Sequence, residues 1–194
     1  MSLNNLERLA ERYVSTDADG ATCTLPNLHV LRKEAVSEFE AIVYNPVICL
    51  ILRGSKETRI GTQSVSLSRG DALLVSHDLP VTSKITQASP AEPYLAIIVS
   101  LDLGIIRNLY EHVGETVSGT PCARSLTSNL AQRAWTDPLG RYLELMDKPL
   151  EAKVLGSQTL REIHFHLLMS PIGGMLRNLL SVDSHASRIS KAIM

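Results

Sequence analysis

Across 194 residues, 19 Lys and Arg nearly cancel 20 Asp and Glu, while 44% of the chain is apolar and 4% aromatic. This fits one domain with an aliphatic core, or a compact domain with a helical appendix, and excludes a general electrostatic field for nucleic acid or anionic membrane. Three widely spaced cysteines without a CxxC pair point to neither a disulfide framework nor a thiolate zinc site, and with no bilayer-length apolar stretch or signal peptide the chain reads as cytoplasmic, without membrane contact.

Leu3, Leu6, Leu9, Ala10 and Tyr13 recur at helical spacing, with Glu7, Arg8, Glu11 and Arg12 opposite, so the chain opens with an amphipathic helix that ends at Asp17 to Gly20. The period then changes. Seven short β-prone runs follow: His29 to Arg32, Val47 to Leu52, Glu57 to Ile60, Ser64 to Leu67, Ala72 to Ser76, Val81 to Ile85 and Tyr94 to Ser100. Turn signals such as Asn45-Pro46, Arg53-Gly54-Ser55, Gly61-Thr62 and Arg69-Gly70-Asp71 separate them. Such spacing predicts a small β-barrel from about residue 25 to 101 rather than βαβ units. Val47 to Leu52 and Leu95 to Val99 are apolar on both faces, which requires helices on the outside.

Those helices come next. Ser100 or Asp102 caps one carrying Leu103, Ile106, Leu109, Tyr110 and Val113, followed by a loop from Gly114 to Cys122. Asp137-Pro138 opens a second with Leu139, Tyr142, Leu143 and Met146, closed by Lys148-Pro149. The third and longest, Glu151 to Leu168, repeats Leu155, Leu160, Ile163 and Leu167, a stripe suited either to packing against a twin in a homodimer or to covering its own barrel. Asp183 or Ser184 then caps a short final helix with Ile189 and Ile193 on one face.

Catalytic templates find no match. GxGxxG, GxxxxGK, GxSxG and HExxH are all missing. His164 and His166 lie two apart on a helix, pointing about 200° away from each other, and cannot chelate one ion. Ser76-His77-Asp78 has triad chemistry, but contiguous strand residues alternate faces. Arg53 shares a strand face with Val47, Cys49 and Ile51; it snorkels to solvent or, as the less favoured alternative, points a guanidinium into the barrel mouth. Strand phase and polarity select Tyr44, Cys49, Ile51, Arg53, Ser76, His77 and Tyr94 as lining residues of a ligand pocket.

Several short segments occur together in a telling order. They are Tyr44-Asn45-Pro46, Leu52-Arg53-Gly54-Ser55-Lys56, the run Gly70 to Val81, Ala88 to Leu95 leading to Leu101-Asp102, Asp137-Pro138-Leu139, Met146 to Pro149, Arg161-Glu162-Ile163, Pro171 to Arg177, and Asp183-Ser184 to Arg188-Ile189. In these the chain resembles, over nearly its whole length, the N-terminal effector-binding and dimerisation region of AraC-type transcriptional regulators. The resemblance implies an α+β fold: an N-terminal helix (1–20), a cupin-like double-stranded β-helix or jelly-roll barrel (21–101), a helical dimerisation subdomain (102–182), and the start of a linker or first helix of a DNA-binding domain (183–194). It further implies a small-molecule effector in the barrel, a homodimer, and DNA contact only through helix-turn-helix units beyond Met194. No catalytic residue, metal or cofactor is expected. The rival expectation is a metal-dependent cupin-type oxygenase or isomerase, whose ion would need two or three histidines and a carboxylate inside the barrel, where predicted strands supply only His29 and His77.

Overall fold

The computed structural model describes residues 1–14, 25–113, 126–178 and 180. The expected end of the first helix at Asp17 to Gly20, the Gly114 to Cys122 loop and the final helix after Asp183 lie outside the described residues.

Among the described residues nine strands form two antiparallel sheets. They are β1 (Leu28–Lys33), β2 (Glu40–Tyr44), β3 (Val47–Arg53), β4 (Ser55–Ile60), β5 (Gln63–Ser68), β6 (Asp71–Val75), β7 (Leu79–Gln87), β8 (Tyr94–Ser100) and β9 (Leu126–Leu130). The larger sheet runs β1-β8-β3-β6-β9 and the smaller β2-β7-β4-β5, a jelly-roll-like arrangement. All seven expected strands form, and two more join them. β2 is an edge strand paired only with β7 and exposed along most of its length, so burial imposes no polar alternation on Glu40-Ala41-Ile42-Val43-Tyr44. β9 falls within the stretch expected to be helical; it pairs with β6, from Asp71↔Leu130 to Val75↔Leu126, and completes the larger sheet after a helical excursion.

Period-2 alternation in the larger sheet sorts the core into two layers. Ile48, Leu50 and Leu52 of β3, Ala72 and Leu74 of β6, and Leu95, Ile97 and Val99 of β8 face the helices. Cys49 and Ile51, Leu73 and Val75, and Tyr94 and Ala96 face the space between the sheets, where Leu67, Leu79 and Val81 meet them. The doubly apolar strands are thus covered on both sides.

The outer layer includes the helices α1 (Leu3–Val14), α2 (Leu103–Val113), α3 (Arg133–Glu144) and α4 (Pro149–Met169). α1 buries Leu6, Leu9, Ala10 and Tyr13, the stripe its spacing predicts. Asp102 caps α2, its Oδ1 accepting from the N–H groups of Gly104 (2.8 Å) and Ile105 (3.0 Å). α3 begins at Arg133, earlier than the expected Asp137-Pro138. The N–H groups of Trp135 and Thr136 already bond the Gln132 carbonyl at 3.3 and 3.1 Å, and buried Trp135 anchors this first turn, so Pro138 sits one turn inside and forfeits only the bond to the Ala134 carbonyl. Pro149 occupies the first turn of α4, where a missing N–H costs nothing.

The stripe Leu160, Ile163 and Leu167 of α4 is buried within this chain's own core, at 5%, 0% and 0% exposure. These side chains are therefore unavailable to a twin, a correction to the expected dimer face. α3 and the helix-facing core already cover them, and only Leu155 of the four, at 42%, reaches solvent, near exposed Leu150 and Val154. His164 is wholly buried. Its Nε2 accepts the Asp102 N–H at 2.9 Å while its Nδ1 lies 2.7 Å from the Leu160 carbonyl, to which it donates. Burial pushes its pKa down, so the neutral ring ties α4 to the start of α2. Arg177, also buried, donates to the carbonyls of Leu168 and Ser170 at the end of α4, satisfying groups the helix leaves open.

Candidate functional site

A cavity of about 270 Å³ opens between the sheets beside the β2–β3 turn. Val43, Tyr44, Asn45, Pro46 and Val47 form its rim, and Cys49 of β3, Lys56 of β4, Leu73 of β6 and Ile98 of β8 its walls, with Ser100 at the end of β8. Among the described residues Lys56 is its only cationic lining residue, and just 8% exposed. Its Nζ donates to Tyr44 Oη at 3.3 Å and lies 3.7 Å from Cys49 Sγ, with the Tyr44 ring centroid 5.3 Å away. None of the ion pairs among the described residues includes it. Burial disfavours its charge, the neighbouring ionisable groups of Cys49 and Tyr44 favour it, and the balance leaves the pKa above the ordinary lysine value.

Sequence reasoning missed Lys56, although its register was legible. In β5, Val65 and Leu67 alternate with Ser64, Ser66 and Ser68, which marks the inward face. The β4–β5 hairpin sets Lys56 opposite Leu67 and Thr58 opposite Val65, so both point inward.

Of the seven residues expected in a pocket, Tyr44 and Cys49 line this cavity. Tyr94 is wholly buried in the same layer, and its hydroxyl has no hydrogen-bond partner within ordinary geometry. Burial, with Cys49 and Tyr44 close by, pushes its pKa well up. Ile51 is buried in that layer but does not line the cavity. Ser76 is buried at the end of β6, its hydroxyl 3.0 Å from Nδ1 of His77, whose residue is exposed. The pair lies apart from the cavity lining.

Arg53 neither snorkels freely nor enters the barrel. The β3–β8 register shifts between Ile51 and Arg53, breaking the alternation that would align Arg53 with Cys49 and Ile51. Its guanidinium instead grips α1, with Nε 2.8 Å from Glu7 Oε1 and Nη2 2.5 Å from Glu11 Oε1. Arg69 adds contacts of 2.9 Å to Glu7 and 2.6 Å to Asn4. The polar face of α1 is thereby held to the β3–β4 end of the barrel. Gly54 makes this turn, with φ +75°; a Cβ there would stand 2.4 Å from the Gln87 carbonyl oxygen.

Both histidines that a metal-dependent cupin reading would use, His29 of β1 and His77 between β6 and β7, are exposed. Among the described residues no group of three or more His, Cys, Asp or Glu is placed to hold a metal ion. Nor, among them, is any helix long and apolar enough to cross a membrane.

The sequence profile of the AraC-type transcriptional regulator N-terminus matches residues 24–175. The chain belongs to this family. No curated protein matches it. Solved structures similar to this AraC-type region include an apo ToxT variant from Vibrio cholerae, at 13% identity and TM-score 0.45, covering 72% of this chain and 53% of that one. ToxT bound to an unsaturated fatty acid, also from Vibrio cholerae, shows 14% identity, TM-score 0.46, and coverage of 72% and 50%. The AraC-like transcriptional activator CuxR shows 12%, 0.42, 73% and 51% in the same order. The chain thus spans about half the length of these regulators. A cupin-2 domain protein from Shewanella frigidimarina, at 9% identity and TM-score 0.33, covers 47% of this chain and 91% of its own.

Proposed function

We propose that this region is the sensing part of a cytoplasmic DNA-binding transcription regulator, and that it works by binding a small molecule rather than by catalysis. The effector enters the Tyr44–Cys49–Lys56 cavity. Its occupancy favours one arrangement of barrel and helices over another and so changes the fraction of regulator competent for DNA, which a further helix-turn-helix domain would contact. Pairing into a homodimer belongs to the same reading.

One observation carries it. The cavity and the helical layer lie on opposite faces of the same sheet: Cys49 lines the cavity while Ile48 and Leu50, its neighbours in β3, carry the helices. A ligand therefore presses on a wall one strand thick. Two ToxT structures are described with bound ligands, one an unsaturated fatty acid and the other a naphthyl-butenoic acid, which agrees with a small-molecule role for this kind of region.

The test joins this chain to a DNA-binding domain of known operator and reads reporter output against a panel of small metabolites. A compound that changes output should also raise the melting temperature of the chain, since it binds only the folded state. Output indifferent to every compound, or a response that survives filling of the cavity by Cys49→Phe in a folded variant, refutes the reading.

A further inference from the structure

Lys56 makes the cavity chemically selective. We propose that the cavity takes a compact organic monocarboxylate, its head group on Lys56 Nζ and its apolar body against Val47, Leu73 and Ile98. This rests on the reading of the barrel as the sensing site and names the class of molecule sensed.

The argument starts from an imbalance of charge. An ammonium this deeply buried is costly unless an anion accompanies it, and cores usually supply a carboxylate or dispense with the cation. Here the fold supplies a phenol oxygen at 3.3 Å and a thiol sulfur at 3.7 Å, neither an equal of a carboxylate as acceptor. The nearest acidic residue in sequence, Glu57, is on the opposite face of β4, where Arg59 and Lys84 pair with it. The strand would pack at least as well with Leu or Met at position 56. What the lysine adds is a charge facing a space that an outside molecule can fill.

Three features narrow the class. Among the described residues one cation stands alone: no arginine fork and no helix N-terminus opens on the cavity, so a phosphate dianion lacks the donors that usually hold it. Besides Lys56, Tyr44 and Cys49 the polar lining is Asn45 on the rim and Ser100 at the end of β8, while Val43, Pro46, Val47, Leu73 and Ile98 are apolar, so few groups meet the many hydroxyls of a sugar. The volume, about 270 Å³, falls just below the ~300 to 1,000 Å³ of sites for drug-sized ligands, so the occupant is small. Tyr44 Oη, already at Lys56, is placed to donate to a carboxylate oxygen once the ammonium turns toward the ligand.

The experiment uses isosteric pairs differing only in charge, such as benzoate with benzamide and pentanoate with pentanamide, alongside inorganic phosphate. Affinities come from calorimetry and thermal melting of the wild-type chain and of Lys56→Met, which keeps the stem and removes the charge. At least one carboxylate should bind and its amide should bind at least tenfold more weakly; Lys56→Met should weaken the carboxylate at least tenfold, leave the amide unchanged, and melt no lower than the wild type without ligand. Amides binding as well as carboxylates, phosphate binding better than either, or carboxylate affinity surviving Lys56→Met would overturn the proposal, as would the absence of any binding. If Lys56→Met does not fold, the side-chain ammonium resonance of Lys56 in the wild type, titrated with the same pairs, decides: it must move with carboxylate and not with amide. A reporter fusion that answers only to neutral compounds would sink the carboxylate and leave the sensing function standing.

Discussion

Replacing Ile163 by alanine separates a core residue from a dimer contact, the two roles its helical spacing allowed. Ile163 is fully buried on α4 in the layer containing Leu143, Leu160 and Leu167. Truncation removes three buried carbons and leaves a cavity in dense surroundings, which costs about 2 to 5 kcal/mol. For a chain of this length each kcal/mol lowers the melting temperature by roughly 2 to 4 °C, so Ile163→Ala should melt about 4 to 20 °C lower. Because the loss is intramolecular, it should be equal at protein concentrations a hundredfold apart, and sedimentation should give an unchanged mass. Leu155→Ala, on the exposed part of the same helix, should stay within about 0.5 kcal/mol of the wild type. A melting temperature for Ile163→Ala close to the wild type, coupled to dissociation on sedimentation, would refute the assignment of this stripe to the core.

Three further predictions follow from the polar contacts. His164 has a lowered pKa in the folded chain, so the unfolded chain binds more protons near neutrality; the stability it supports is complete above the ordinary value of ~6.5 and declines as pH falls through it. Urea unfolding between pH 8 and pH 5 should show this decline, and His164→Gln should flatten it; an equal slope in the variant would contradict the role. Arg53→Gln removes the clamp on Glu7 and Glu11, which is partly solvent-exposed and so contributes only about 1 kcal/mol. Hydrogen exchange should quicken several-fold in the α1 amides and not in β3 or β8, whereas uniform quickening would place the clamp's effect on global stability. Gly54→Ala puts a side chain at positive φ against the Gln87 carbonyl and should lower stability by ~2 kcal/mol or more in chemical unfolding; a loss below 0.5 kcal/mol would show that the turn relaxes freely.

How far the fold was legible depended on how local each signal is. Strands with one or two buried faces declare themselves through their apolar pattern, as β3, β6 and β8 did. β2 has no buried face to impose a pattern, and β9 becomes a strand only because β6 offers an edge to pair with after the α2 excursion. Cys49 was placed on the face between the sheets because strand phase is a local property. Arg53 was placed on the same face because a register shift is not visible in composition: one irregular residue turned the guanidinium from the barrel to α1. Lys56 escaped for a different reason. A lysine on a strand is ordinarily read as solvent-facing, and only its pairing with Leu67 across the hairpin reveals the contrary.

Spatial adjacency does not by itself create coupling between a ligand and a distant output; an element with two arrangements must stand between them. Two attachments in this fold join the barrel to its helices. At the end of β8, Ser100 lines the cavity, and two residues on, the Asp102 N–H is held by His164 of α4, while the Leu101 N–H bonds the carbonyl of Pro46 on the cavity rim at 2.9 Å. On the proposed reading, a ligand that moved this rim would move the anchor of α4. At the other end, α1 is held by its apolar stripe and by partly exposed ion pairs, the kind of attachment that opens at lower free energy than the sheets beneath it. The buried layer of Ile48, Leu50, Leu74, Ile97 and Val99 lies between the two, and well-packed interiors transmit strain. On the proposed reading, the larger sheet stands between the cavity and the helices that would answer it.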